Sequence, residues 1–352
     1  MKKILLHSQS LRNNSCFIDK GRDNCNIPLI NLKKSLYNLG YDLMTSDNII
    51  LNDDVRYIFF FDHSSLVRYR GLKGLLKYFY DLIYKGNVFR NLYEEALKKG
   101  YEDKLILFLW EPKSIIPENW SKQTHSKFKT IFTWNNKFID NKKFFKILMP
   151  QPEFEPEIKK IDFNRKHFLL NISMNKYSNF EGELYSKRRE IISFFEKNSY
   201  NDFQLYGFGW NKPINFIQYI FPFLVKKYNS YQGTISSKHE IMLKFKFALC
   251  FENISTEYGW ITEKIFDCFN SNCIPIYYGA PDIYHYIPKN CFIDMRDFKN
   301  YTELSNYLYS IDESVYEEYL SNINIFLKSK DYKLFLSNNF INTITNVLKL
   351  NN

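Results

Sequence analysis

The run Phe247 to Ile283, FALCFENISTEYGWITEKIFDCFNSNCIPIYYGAPDI, constrains the fold more than any other part of the chain. Phe247–Phe251 leaves no room for polar groups, so it reads as a strand in the middle of a sheet. Thr262 is a natural N-cap for a helix through Phe269. Cys273 to Tyr278 is a second buried strand, running into the turn Gly279-Ala280-Pro281. The first strand delivers Glu252 and Asn253 to its carboxyl end, where open α/β sheets bind ligands. The helix start places Glu263 and Lys264 in its first turn, where free N–H groups and the helix dipole attract an anion. Lys264 at such an end suits a diphosphate, although taken alone a Glu–Lys pair on a solvated first turn is the better account of it.

The same alternation of short apolar runs with helical patterns continues along most of the chain and predicts an α/β fold with largely parallel sheets. Lys3–Leu6, Tyr57–Phe61, Leu105–Trp110 and Ile131–Trp134 are strands of a first half, and Leu29 to Leu39 is a helix ending at Gly40. Pro150 to Glu157 holds three prolines in eight residues and reads as an extended connector. Beyond it, His167–Ile172 and Phe203–Tyr206 are strands and Arg188–Lys197 a helix. With 352 residues the chain exceeds one ordinary core. The expected division is a domain over 1–155, a second over 164–335 and a closing helix over 336–352.

Charge adds less. The 48 Lys and Arg against 38 Asp and Glu give a net +10, which favours polyanionic partners without choosing among nucleic acid, acidic lipid and diphosphates. Binding to nucleic acid would rest on this net charge alone and is not expected. The cysteines form no C-x-x-C pair and read as small buried thiols in a reducing compartment. No signal-peptide core and no apolar run of membrane-spanning length occurs, which places the chain in the cytosol, free or resting on the inner face of a membrane. Two stretches are candidates for peripheral membrane contact: Leu66–Lys85, with Arg68, Arg70, Lys73, Lys77 and Lys85, and the apolar Ile214–Val225, followed by Lys226 and Lys227. A surface helix with one face in the core competes for the first, and a tucked-in loop for the second.

The order F-E-N, T-E-K, I-P-I-x-x-G-A-P in Phe247–Ile283 resembles the signature of the α1,3-fucosyltransferases, glycosyltransferase family 10. The likeness is strongest from Lys238 to Asp297. It implies two facing Rossmann-like domains of GT-B type with a cleft between them. It also implies GDP-fucose as donor, and inverting transfer to an oligosaccharide or glycolipid acceptor, at O3 of GlcNAc or Glc in a lipopolysaccharide or capsule. The resemblance assigns Lys264 to the donor phosphates, Glu263 to donor hydroxyls, Asn253 to a polar anchor and Thr262 to a cap touching the ligand. Arg188, with Arg189 as its competitor, is the second cation on the diphosphate. One departure stands out. Many members carry an aromatic, usually Tyr, six residues after the Asn, whereas Trp260, to which the resemblance assigns that aromatic's contact with the donor, lies seven after Asn253.

Inverting attack on C1 also needs a base for the acceptor hydroxyl. Glu111 follows the strand Leu105–Trp110 and precedes Pro112, so it sits on extended backbone at a strand end; the family places its base Glu after a comparable strand. Glu118 is the runner-up. The sequence has no Asp-x-Asp, and its near-substitutes Glu153-x-Glu155 and Glu181-x-Glu183 lie in connectors. No metal site and no required cofactor are therefore expected, with any Mn or Mg effect secondary. A same-fold transferase using another nucleotide sugar and an inactive glycan-binding protein are the alternatives.

Overall fold

Each apolar run read above as a strand lies in one of two parallel sheets, whereas the apolar Ile214–Val225 holds a short helix and a 3-10 turn. The computed structural model describes residues 1–352 except 9, 64–65, 67–74, 77–78, 81, 84–89, 154–161, 200, 215 and 352. The chain divides into one unit of Met1–Pro152 with Ser337–Asn352 and another of Glu153–Leu336.

The first unit contains β1 (Lys2–His7), α1 (Ile27–Asn38), β2 (Tyr41–Thr45), β3 (Val55–Phe61), α2 (Leu92–Lys98), β4 (Leu105–Leu109), β5 (Thr130–Thr133) and β6 (Phe144–Lys146). Its sheet order is β2-β1-β3-β4-β5-β6, and every pair is parallel. All five residues of β4 are buried, as a strand covered on both faces requires. Gly40 ends α1 at φ 85, a left-handed turn that glycine takes without strain. The edge strands β2 and β6 were not foreseen.

The second unit contains β7 (His167–Ile172), α3 (Tyr185–Asn198), β8 (Phe203–Tyr206), α4 (Phe216–Ile220), β9 (Phe245–Phe251), α5 (Glu263–Asn270), β10 (Ile274–Tyr278), β11 (Ile293–Asp294), α6 (Tyr301–Ser310) and α7 (Glu313–Leu327). Its sheet order is β11-β10-β9-β7-β8, again all parallel. Helix α3 begins three residues before Arg188 because the Glu183 carboxylate accepts the N–H groups of Tyr185 at 2.7 Å and Ser186 at 3.1 Å.

The last helix, α8 (Ser337–Val347), belongs to the first unit. Phe340, Ile341, Ile344 and Leu348 lie in one buried cluster with Leu32, Leu36, Phe108 and Phe132. The Phe340 ring is 6.1 Å from Trp110 and 6.4 Å from Phe108.

Of Leu66–Lys85, the five basic residues lie outside the described ones; Leu66 is buried, and Leu75, Leu76, Phe79, Tyr80, Leu82 and Ile83 are exposed rather than turned to a core. Residues 154–157 of the expected connector, with Glu155, also lie outside the described residues. Five cysteines are buried as expected, but Cys25 is exposed. No helix among the described residues is long and apolar enough to cross a membrane.

Since α8 fills the first unit's core from more than 200 residues away, Phe340→Ala should destabilise that unit by about 3–5 kcal/mol. Chemical denaturation followed by Trp110 and Trp134 fluorescence measures it.

Candidate functional site

The second unit's site is built around Glu252, the residue after β9. Its N–H donates to Tyr278 O at 2.8 Å, continuing the pairing with β10 and carrying the side chain into the interior. The carboxylate is fully buried and would be costly without partners. Glu252 Oε1 accepts Thr262 N–H at 2.9 Å, and the Thr262 hydroxyl lies 2.9 Å from both carboxylate oxygens. Lys264 Nζ donates to Oε2 at 2.9 Å and to Thr262 Oγ1 at 2.8 Å. Gly279 leaves the necessary room, because a Cβ there would stand 2.4 Å from the Tyr277 hydroxyl and 2.5 Å from Glu252 Cγ.

Thr262 thus occupies the N-cap position without capping. Its side chain makes no cap hydrogen bond and serves the carboxylate instead. Burial works against the Lys264 charge, yet Glu252 and Glu263 outweigh it and hold the ammonium above the ordinary lysine range. Glu263 is half exposed, with Lys238 Nζ at 3.7 Å and Lys264 Nζ at 4.0 Å. Partial desolvation by its neighbours would raise the carboxyl, but Lys264 and Lys238 win and lower it. Lys238, which sequence reasoning did not single out, is anchored by Asp267 at 2.7 Å. Charges therefore alternate along Glu252, Lys264, Glu263, Lys238 and Asp267.

Arg188 is 4% exposed. Its Nη2 donates to Phe251 O at 2.6 Å and Glu252 O at 3.1 Å, bracing the strand end from behind. Burial pulls its pKa below the usual arginine range. Arg189 turns elsewhere and donates to Lys176 O at 2.5 Å. Asn253 is partly exposed, and its carbonyl accepts Leu184 N–H at 3.0 Å. Trp260 is 3% exposed, whereas Tyr258 in the same loop is exposed. The aromatic of this loop that reaches solvent is therefore Tyr258, five residues after Asn253. Beyond the turn at Gly279, the buried Asp294 accepts Arg296 Nε at 2.8 Å and Nη2 at 2.7 Å, and Arg296 Nη1 reaches Ala280 O at 3.3 Å. Neither residue was foreseen, since a lone Asp-x-Arg carries no signal.

Glu111 lies in the first unit. Asp62, just after β3 with φ 63, is buried and its Oδ1 accepts Trp110 N–H at 2.7 Å, Glu111 N–H at 3.0 Å and Asn119 Nδ2 at 2.7 Å. Asn119 also donates to Glu111 O at 3.1 Å. The Glu111 backbone is thus held from both sides. Asp62 and Glu111, with Ser8, Ser10, Asn26 and Trp110, line a cavity of about 300 Å³. Glu118 is exposed, on the turn Pro117–Trp120. Among the described residues no three His, Cys, Asp or Glu side chains gather as a metal site.

Two outcomes follow from these carboxylates. Glu252→Ala removes the fully buried partner of the partly buried Lys264 ammonium and should destabilise the second unit by up to about 3–5 kcal/mol, read from its denaturation midpoint. Burial pushes the Asp62 carboxyl up to about 6 against the pull of its three donors. Between its ordinary value of 3.8 and about 6 the folded state then binds the extra proton, so stability falls as pH rises through that window. The loss is about 3 kcal/mol at most. Asp62→Asn keeps an acceptor and removes the titration, so it should gain on the parent as pH goes from acid to neutral. Paired melts across that range check the sign.

Residues 188–335 match the family model described as glycosyltransferase family 10 (fucosyltransferase) C-term. An α-(1,3)-fucosyltransferase of Helicobacter pylori is 39% identical over 80 residues, 23% of this chain and 16% of that protein. An α-(1,4)-fucosyltransferase of Arabidopsis thaliana is 31% identical over 102 residues, 28% of this chain and 25% of that protein. The alignments thus span a quarter or less of these relatives. Among solved structures, an α1,3-fucosyltransferase with GDP-fucose superimposes with a TM-score of 0.55 at 15% identity, covering 99% of this chain and 90% of that one. Anabaena HepE with UDP and glucose gives 0.55 at 10% identity, covering 99% of each. These likenesses establish the fold, two Rossmann-like units of GT-B type.

Proposed function

We propose that this chain, whose residues 188–335 match glycosyltransferase family 10, is a fucosyltransferase that moves L-fucose from GDP-fucose to a glycan hydroxyl. The observation that carries this reading is the Lys264 ammonium, held at the N-terminus of α5 by the buried Glu252 inside the stretch that matches the family. A diphosphate meets there a fixed cation and the free N–H groups of a helix start. Glu263, half exposed and ionised, accepts from donor hydroxyls. Asn253 and the exposed Tyr258 supply a polar and a stacking contact, the part first expected of Trp260. Arg188 acts as a positioning residue, its charge set behind the strand end that carries Glu252.

In the transfer, the acceptor oxygen bonds to C1 of fucose on the face opposite GDP while the C1–O bond to the diphosphate breaks. The acceptor proton passes to the Glu111 carboxylate, and the electron pair of the broken bond leaves with GDP. Negative charge growing on the diphosphate is met by Lys264 and the helix start, so this set of cations does the work that other transferases give to a divalent metal. The acceptor we favour is O3 of GlcNAc or Glc in an oligosaccharide or glycolipid.

Calorimetry with GDP, GDP-fucose and UDP-glucose, without added metal, tests the donor half. Binding should be selective for guanine nucleotides, and Lys264→Gln should weaken it by about tenfold or more, the scale of one charge-assisted contact. Glu111→Gln should keep GDP binding and lower turnover by about 10²–10⁴-fold. Preference for UDP-glucose would overturn the fucose donor and leave a same-fold transferase of another sugar. Unchanged turnover of Glu111→Gln would remove the proposed base.

A further inference from the structure

After β8 the chain makes an excursion over residues 208–229 and returns alongside the same strand. Its base is fixed: Leu205 N–H donates to Ser230 O at 2.9 Å, Gln232 N–H to Leu205 O at 2.8 Å and Gly207 N–H to Gly233 O at 2.8 Å. Within it, the usual polarity of a surface loop is inverted. Ile214 to Val225 contains no charged residue. Phe216 is 75% and Phe223 81% exposed, and Ile217, Tyr219, Ile220 and Leu224 also face outward. The single amide of α4, Gln218, turns inward, where its Oε1 accepts Ile214 N–H at 3.0 Å and its Nε2 donates to Leu224 O at 3.4 Å. The N–H groups of Phe221, Leu224 and Val225 bond to Ile217 O, Phe221 O and Pro222 O at 2.8 to 3.1 Å, and Pro222 has none to satisfy.

Water does not demand this arrangement, but hydrocarbon does, because there each backbone polar group must find its partner inside the protein. A contiguous apolar patch on a protein surface marks a contact with something else. The charges indicate what. From Phe203 to His239 the sequence has no Asp or Glu, and its cations are Lys212, Lys226, Lys227 and Lys238. Lys212, Lys226 and Lys227 are exposed at the two ends of the apolar run. Glu196, a carboxylate tied to the base of the excursion, is engaged by Asn229 N–H and by Ser230.

We propose that this excursion docks the second unit on an anionic lipid membrane. Phe216, Ile217, Tyr219, Phe223 and Leu224 enter the boundary between headgroups and acyl chains, while Lys212, Lys226 and Lys227 pair with acidic headgroups. The docking does not depend on which sugar is transferred.

Flotation of the full chain with vesicles of phosphatidylcholine, alone or mixed with phosphatidylglycerol, tests it. The chain should float with the mixed vesicles and much less with phosphatidylcholine alone. Phe216→Ser with Phe223→Ser should weaken this by at least about tenfold, with the melting temperature unchanged because both rings are exposed. Lys226→Gln with Lys227→Gln should weaken it by roughly tenfold, selectively on the anionic vesicles. In case the double phenylalanine variant misfolds, Phe223→Trp provides a second reading, and its added emission should be quenched by brominated lipid. Failure of the parent to float, equal flotation of the serine variant, or no quenching would overturn the proposal. So would a parent dimer that the serine variant dissolves without any change in vesicle binding, since the patch would then join two copies of the chain.

Discussion

The second unit is organised by one buried carboxylate. Glu252 ends a central strand, and a charge at that depth is tolerable only with full pairing. The pairing it takes fixes everything around it. Thr262 is drawn away from capping, Lys264 is folded back across the helix start, Arg188 braces the carbonyls behind, and position 279 is kept free of a Cβ. Four segments distant in sequence are thereby joined at one strand end. A ligand anion arriving there meets a cation whose position is already set, so less ordering is required at the moment of binding.

The first unit uses the same device with a different consequence. Asp62 also follows a buried strand and also gathers backbone N–H groups, those of Trp110 and Glu111. The donors Trp110 N–H, Glu111 N–H and Asn119 Nδ2, however, are neutral. Dipoles do not fully offset the lost hydration, and the Asp62 carboxyl rises to about 6. Glu252 is joined by an ammonium, and there the visible effect is on the partner, Lys264, whose charge is reinforced. What differs between the two strand ends is thus the charge of the donors that gather there, since depth and position are common to both.

This contrast also explains what could be read in the sequence. Central strands were legible because parallel strands covered on both faces are written as unbroken apolar runs, as in LILFL and FALCF. The edge strands YDLMT and FFK were not, for half-exposed strands look like any mixed segment. Lys264 and Glu263 were legible as a helix start next to a ligand edge. The part played by Glu252 was not, because it depends on Gly279, Thr262 and Arg188 converging through the fold. Trp260 misled for a related reason: an aromatic residue signals size, while burial decides whether it serves the core or the surface, and here Tyr258 is the exposed one. Helix α8 was legible as a helix, but not its place in the first unit's core, since nothing local records a contact across 200 residues.

The excursion after β8 is the converse case. Its apolar run was legible, and a tucked-in loop was a fair competing reading, because a run of Phe, Ile and Leu ordinarily means burial. The decisive residue is the polar one. Gln218 spends both ends of its amide on the loop's own backbone, leaving the apolar side chains with no role inside the unit. A loop that pairs the N–H groups of Ile214, Phe221, Leu224 and Val225 within itself and turns its hydrocarbon outward shares features of a membrane-inserted segment on a scale too short to span. With Lys212, Lys226 and Lys227 at its margins, that arrangement is complementary to an acidic lipid surface.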